Sequence, residues 1–203
     1  MQRRIFISSL AAVPLLAGTA HAAGFHAIDI TGAGIGPDYQ LSYADGKPAS
    51  LRDFKGKVVL LFFGFTQCPD VCPTTLARAV EIKRLLGADA AKLQVVFVTV
   101  DPERDTGPLL AEYMRAFDPS FVAVRGSLEQ TAKAAKDFKI FYRKVPSGSS
   151  YTMDHTALSY AFDASGKIRL AMKHEQTAQQ CADDLRLLMN PKKETSFLKG
   201  LFQ

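Results

Sequence analysis

Two cysteines four residues apart lie in the segment Cys68-Pro69-Asp70-Val71-Cys72-Pro73. The segment follows directly on the apolar run Val58 to Phe65, so it falls where a buried strand hands over to a helix. The N–H groups of a first helical turn have no partner within the helix, and the helix dipole favours negative charge there. A thiol so placed is pushed toward thiolate, the form that attacks disulfides and also binds metal. The pair can serve as a soft metal clamp or as a redox couple. If the segment is helical, spacing of four sets both sulfurs on one side of a turn. Pro73 also suits a first helical position, which would make Cys72 the cap with Cys68 just before it. Either way the sulfurs converge. Two prolines, an aspartate and the preceding Gln67 are too turn-prone for a plain disulfide packed in a core. A histidine tips the balance: two thiolates suit Cu(I), and one added imidazole lets the same site hold Cu(II).

The elements around the pair alternate in period. Turn signals from Asp29 to Lys57 read as a hairpin entry, not as a separate domain. Val58 to Phe65 is a continuous apolar run of strand length, as expected of a strand buried on both faces, and Leu93 to Val100, with Val95, Val96, Phe97 and Val98, reads as a second buried strand. Between them, Thr74 to Leu86 has a helical period and ends at Gly87. Thr106, with Pro108 just inside, caps a helix to about Phe117. A short strand over Phe121 to Val124 follows, then a capping box of Ser127 and Gln130 opens a helix toward Phe138. Ala157 to Phe162 and Ile168 to Met172 form a hairpin, and a last helix spans Thr177 to Met189. The order describes a three-layer α/β/α domain with a mixed central sheet and an N-terminal hairpin extension, as in thioredoxin-like folds. Lys144 to Tyr151 reads as the one flexible loop. In such a fold that loop approaches the cysteine turn, and it leads into Tyr151-Thr152-Met153-Asp154-His155-Thr156. His155 is therefore the candidate third ligand; Asp154 reads as a solvated turn residue.

The ends and the composition narrow the function classes. Residues 1–22 read as an export signal: Arg3-Arg4, an apolar middle from Ile5 to Gly18, and Ala20-His21-Ala22 as cleavage site. The apolar stretch is shorter than the roughly 20 residues a spanning helix needs, and Pro14 interrupts it. Residues 23–203 then form a single domain, with its core over about 25–189. The expected location is the periplasm, with an inner-membrane anchor facing the periplasm as the alternative. Removing Arg3 and Arg4 takes two charges from a formal +5, and no basic run is interleaved with aromatics. Nucleic acid is excluded as a partner on that ground, and a monomer is expected. Three cysteines, two of them in one motif, do not make a disulfide framework. Cys181 sits at helical spacing with Ala178, Ala182, Leu185 and Leu188, and reads as an inert core thiol. Asp101-Pro102-Glu103-Arg104-Asp105 reads as a strand-end turn that caps the next helix.

The segment Gly56 to Pro73, with Gly64-Phe65-Thr66-Gln67-Cys68-Pro69-Asp70-Val71-Cys72-Pro73 at its end, resembles the signature of the Sco/SenC family. Val98 to Thr106 and Met153-Asp154-His155-Thr156 are similar to that family's second and third blocks. The resemblance runs from about Phe25 to Met189. It implies a thioredoxin-like fold and copper, as Cu(I) and Cu(II), on Cys68, Cys72 and His155. It also implies assembly of the CuA centre of cytochrome c oxidase. The implied partners are the CuA-bearing subunit, another periplasmic copper chaperone or a thiol reductase. Many family members keep a membrane anchor, whereas this leader reads as cleavable. The implied role is a metallochaperone and not an enzyme. The alternative is a thiol–disulfide oxidoreductase whose redox pair, Cys68 and Cys72, reduces the cysteines of the copper-receiving subunit. Three residues between the cysteines, and no proline at Asp154-His155-Thr156, favour metal over redox turnover.

Overall fold

The computed structural model describes residues 24–36 and 38–190. The export signal read over residues 1–22 lies outside the described residues. In chain order the elements are β1 (Ile28–Asp29), β2 (Leu41–Tyr43), β3 (Pro48–Ala49), β4 (Val58–Gly64), α1 (Val71–Leu86), β5 (Leu93–Thr99) and α2 (Gly107–Phe117). There follow β6 (Val122–Arg125), α3 (Leu128–Asp137), β7 (Tyr142–Ser147), β8 (Ser150–His155), β9 (Leu158–Phe162), β10 (Ile168–Lys173) and α4 (Ala178–Met189).

Eight strands form one mixed sheet in the order β1-β10-β9-β4-β5-β6-β2-β3. Strands β4, β5 and β6 run parallel at its centre, and every other pairing is antiparallel. The expected α/β class and the hairpin extension are both present: β2 and β3 make the hairpin and attach to the edge of β6. All seven residues of β4 and of β5 are buried, which is why neither strand shows a polar alternation.

Because successive residues of a strand point to opposite faces, β4 serves two cores at once. Phe63 meets the Phe138 ring at the end of α3, at 5.3 Å between centroids. On the other face Phe62 meets Phe97, which in turn touches Tyr113 of α2. Gly64 shares this second face. Helix α1 packs against α4 and α2. Its neighbour α4 buries Cys181, only 1% exposed, among Ala182, Leu185 and Leu188. Burial raises the Cys181 thiol above its ordinary range, as an inert core sulfur requires.

Capping chemistry sets most helix starts. Thr106 accepts from the Leu109 N–H, Ser127 from Gln130 and Thr177 from Gln180, the last two as full capping boxes. Two differences from the sequence reading matter for the site. Helix α1 begins at Val71, earlier than the helical period over Thr74 to Leu86 indicated, and its cap residue is Asp70, so of the two arrangements open for the cysteines Cys72 is not the cap but lies inside the first turn. Pro73 is tolerated as its third residue, since first-turn N–H groups lack helical partners anyway. The segment Lys144 to Tyr151, expected to be a flexible loop, lies mostly within the hairpin of β7 and β8. A two-residue turn with Gly148 at φ 58° reverses it. That hairpin forms its own two-stranded sheet, apart from the eight-stranded one.

Candidate metal centre

Cys68 sits in the turn between β4 and α1, its own N–H donating to Phe65 O at 3.3 Å. Asp70 makes no side-chain cap; the Cys72 N–H instead points at Cys68 Sγ, 3.5 Å away. A sulfur thus occupies the place of a capping oxygen, at the positive end of the helix dipole. Cys72, the second residue of α1, is 1% exposed, while Cys68 is half-buried. Gly64 makes room for the buried sulfur: a Cβ there would lie 2.6 Å from Cys72 Sγ and 2.7 Å from the Phe97 ring. No side chain larger than hydrogen fits while that sulfur keeps its place.

His155 arrives from the other side as the last residue of β8, paired with Tyr142. Its ring stands edge-on to Phe65, with centroids 5.9 Å apart and planes at 89°. Nδ1 lies 3.1 Å from Thr156 O. A carbonyl only accepts, so in the neutral ring Nδ1 carries the proton and Nε2 keeps its lone pair. Nε2 lies 3.6 Å from Cys72 Sγ. Cys68, Cys72 and His155 bring one donor atom each to within 4.8 Å of one another. Both thiols are free.

The pair shares protons unequally. The neighbouring Cys72 thiol first, then His155 and the backbone N–H groups of Asp70 and Cys72, hold Cys68 well below the usual thiol range against the opposing effect of burial. Cys72 is pushed up by its pairing with Cys68, by its burial and by the neighbouring negative sulfur. A void of about 10 Å³ beside Cys72, Thr75 and His155 has room for a water-sized guest and not for an organic substrate. A groove of about 620 Å³ lies between the β2–β3 hairpin and α3 and is lined by none of the three donors. The donor chemistry of two sulfurs and an imidazole within 4.8 Å of one another fits a single soft ion.

Asp154 and the other described histidines fall elsewhere. Asp154 pairs with Arg143 across the hairpin at 2.9 Å and stays half exposed, so it does not orient His155. His174 Nδ1 faces Thr75 Oγ1 at 3.3 Å, and the His26 N–H donates to the buried Asp184 carboxylate at 2.8 Å. Cys181 is separate on α4.

The segment Asp101 to Asp105 does more than the helix-capping turn expected of it. Thr106 caps α2, while Asp105 is fully buried and accepts from Thr66 N (3.1 Å), Thr66 Oγ1 (2.5 Å) and Thr99 Oγ1 (2.5 Å). Burial raises the Asp105 carboxyl even against the Thr66 and Thr99 hydrogen bonds. It ties the cysteine turn to the end of β5. The available signal was two aspartates, Asp101 and Asp105, in the turn that follows a strand buried along its whole length.

The SCO1/SenC family profile matches residues 29–190. The SCO2-like protein of Rickettsia felis is 36% identical over 169 residues, which cover 82% of this chain and 76% of that protein. Bradyrhizobium japonicum ScoI with copper bound is 40% identical at a TM-score of 0.68, over 75% of this chain and 98% of that one. The structure of BsSco is described as identifying a disulfide switch in a member of the Sco family of cytochrome c oxidase assembly proteins. It is 25% identical at a TM-score of 0.60, over 76% of this chain and 93% of that one. With its profile match running from β1 to the end of α4, the chain belongs to the SCO1/SenC family.

Proposed function

We propose that this protein is a copper-binding assembly factor that delivers copper to the CuA centre of cytochrome c oxidase. One observation carries the reading: two cysteine sulfurs and an unprotonated imidazole nitrogen converge within 4.8 Å. Copper is the cargo, held as Cu(I) by Cys68 and Cys72 and as Cu(II) with His155 added. A relative at 40% identity has copper bound, and another is described as belonging to a family of cytochrome c oxidase assembly proteins. The partner in this reading is the CuA-bearing subunit of the oxidase.

Copper and a disulfide compete for the same two sulfurs. An oxidised Cys68–Cys72 pair has no thiolate to offer, so the reduced protein is expected to take up one copper per chain and the oxidised protein almost none. Prior loading with Cu(I) should also slow oxidation of the dithiol. Titration of both forms decides it; equal uptake by the oxidised protein would place the ligands elsewhere.

The unequal exposure of the pair favours a second reading, a thiol–disulfide reductase. The accessible Cys68 thiolate attacks a target disulfide, forming a mixed disulfide and releasing one target thiolate. Cys72 then gives up its proton and attacks Cys68 Sγ. That leaves a Cys68–Cys72 disulfide and two reduced target thiols, a balanced two-electron exchange. Reduction of a target disulfide by copper-free protein distinguishes this reading from delivery.

We also propose that residues 1–22 export the chain to the periplasm and are removed, leaving residues 23–203 as one domain. Among the described residues no helix is long and apolar enough to cross a membrane. The exported chain is expected to begin at Ala23; amino-terminal sequencing that finds Met1 in a membrane fraction would make the leader an anchor.

A further inference from the structure

The hairpin that carries His155 has no hydrogen-bonded partner in the eight-stranded sheet. A two-stranded hairpin by itself is marginal in water, so something else must hold it. Met153 is its one buried residue. At the hinge end, Thr156 N donates to Phe141 O and Phe141 N to Thr156 Oγ1. Nearer the turn the contacts gather on one other loop, Asp101 to Asp105, with Arg104 at their centre.

Arg104 is inserted between the cysteine turn and the hairpin, with its side chain 16% exposed. Nε donates to Asp101, whose carboxylate is 1% exposed. One terminal nitrogen donates both to Gln67 Oε1 at 3.0 Å and to Tyr151 O at 2.8 Å. Gln67 directly precedes Cys68, and Tyr151 lies on the His155 strand. The guanidinium also stacks on the Tyr151 ring at 3.7 Å and faces the Phe65 ring at 5.9 Å. Phe65 is the ring against which His155 stands. Tyr151 closes the circuit, its hydroxyl donating to Asp101 Oδ1 at 2.8 Å. Lys144 Nζ sits 4.7 Å from the centroid of the same ring and pairs with Glu103.

We infer that Arg104 is a positioning residue: a clasp that fixes the His155 hairpin against the Cys68 turn and so sets the spacing of the imidazole from the two sulfurs. The inference rests on Cys68, Cys72 and His155 being the ligands. A guanidinium suits the task because its planar fork can bond two loops while stacking on an aromatic face; lysine, a single ammonium point, cannot do both. Its action falls on the imidazole, because the two thiols belong to one short segment that needs no clasp to meet.

The test compares Arg104→Ala and Arg104→Lys with the unchanged protein. In the metal-free state, amide hydrogen exchange across Tyr142–His155 is expected to rise about ten-fold or more in both variants, while amides of β10 and α4 keep their protection. In copper titrations, Cu(II) affinity should fall by about ten-fold or more with its thiolate-to-copper absorption altered, and Cu(I) affinity should stay within about three-fold. Unchanged exchange in the hairpin overturns the clasp. Equal losses of Cu(I) and Cu(II) affinity overturn it too, since they mark general loosening. An Arg104→Lys variant indistinguishable from the unchanged protein would mean that charge alone matters, and the clasp would fall. The exchange measurement decides the matter without copper, so failure of the ligand reading itself registers separately: no copper uptake by the unchanged protein.

Discussion

Cys72→Ser, and separately Cys68→Ser, is expected to leave the reduced protein without tight Cu(I) binding. A hydroxyl is a hard, poorly ionised donor, and a soft ion gains little by exchanging a thiolate for it. The loss should exceed the roughly 10–100-fold that substitutions outside the ligand shell cost a metal site. Folding should survive both changes. Serine is slightly smaller than cysteine, so neither the space beside Gly64 nor the helix start at Val71 is overfilled. Cu(I) competition against a chelator of known affinity, with thermal melting as control, measures the effect. Full stoichiometry in either variant would remove that sulfur from the centre.

His155→Ala is expected to separate the two oxidation states. Two thiolates can hold Cu(I) in near-linear geometry without help, whereas Cu(II) prefers more ligands, imidazole among them. Cu(II) affinity should fall by about a hundred-fold and Cu(I) affinity by less than about ten-fold. The ring packs edge-on against Phe65, so its removal leaves some apolar surface uncovered, at a cost of about 1 kcal/mol. Paramagnetic resonance of the Cu(II) form supplies the check, since nitrogen coupling from the imidazole should vanish. A variant that binds Cu(II) as well as the unchanged protein would exclude the histidine.

Where side chains are buried on both faces, the chain announces its own structure. Strand β4 could be read as an uninterrupted apolar run and β5 from its Val95 to Val98 centre, and Thr106, Ser127 and Thr177 mark helix starts because capping is a contact between close neighbours. The β7–β8 hairpin was hidden for the opposite reason. Only Met153 of its twelve residues is buried, so no period of two stands out, and Pro146 and Gly148 resemble a loop. The cysteine pair was legible because its geometry is set within one turn. His155 lies 83 residues from Cys72, and a lone histidine carries no spacing signal of its own. Resemblance and fold together located it. The supports of the site escaped entirely. Asp105 reaches Thr66 across 39 residues and Arg104 reaches Tyr151 across 47, and such contacts exist only once the sheet has brought three loops to one end.

With Cys72 sealed against Gly64 and Phe97, and Cys68 half open to solvent, the centre can be approached from one side only. In the proposed delivery role, a copper ion handed over by another protein's thiolate would meet Cys68 first and the buried sulfur last. An acceptor's incoming ligand would likewise displace the outer sulfur while Cys72 still holds the ion. Transfer in that role would be an associative relay, with the metal shared between the two proteins at each exchange.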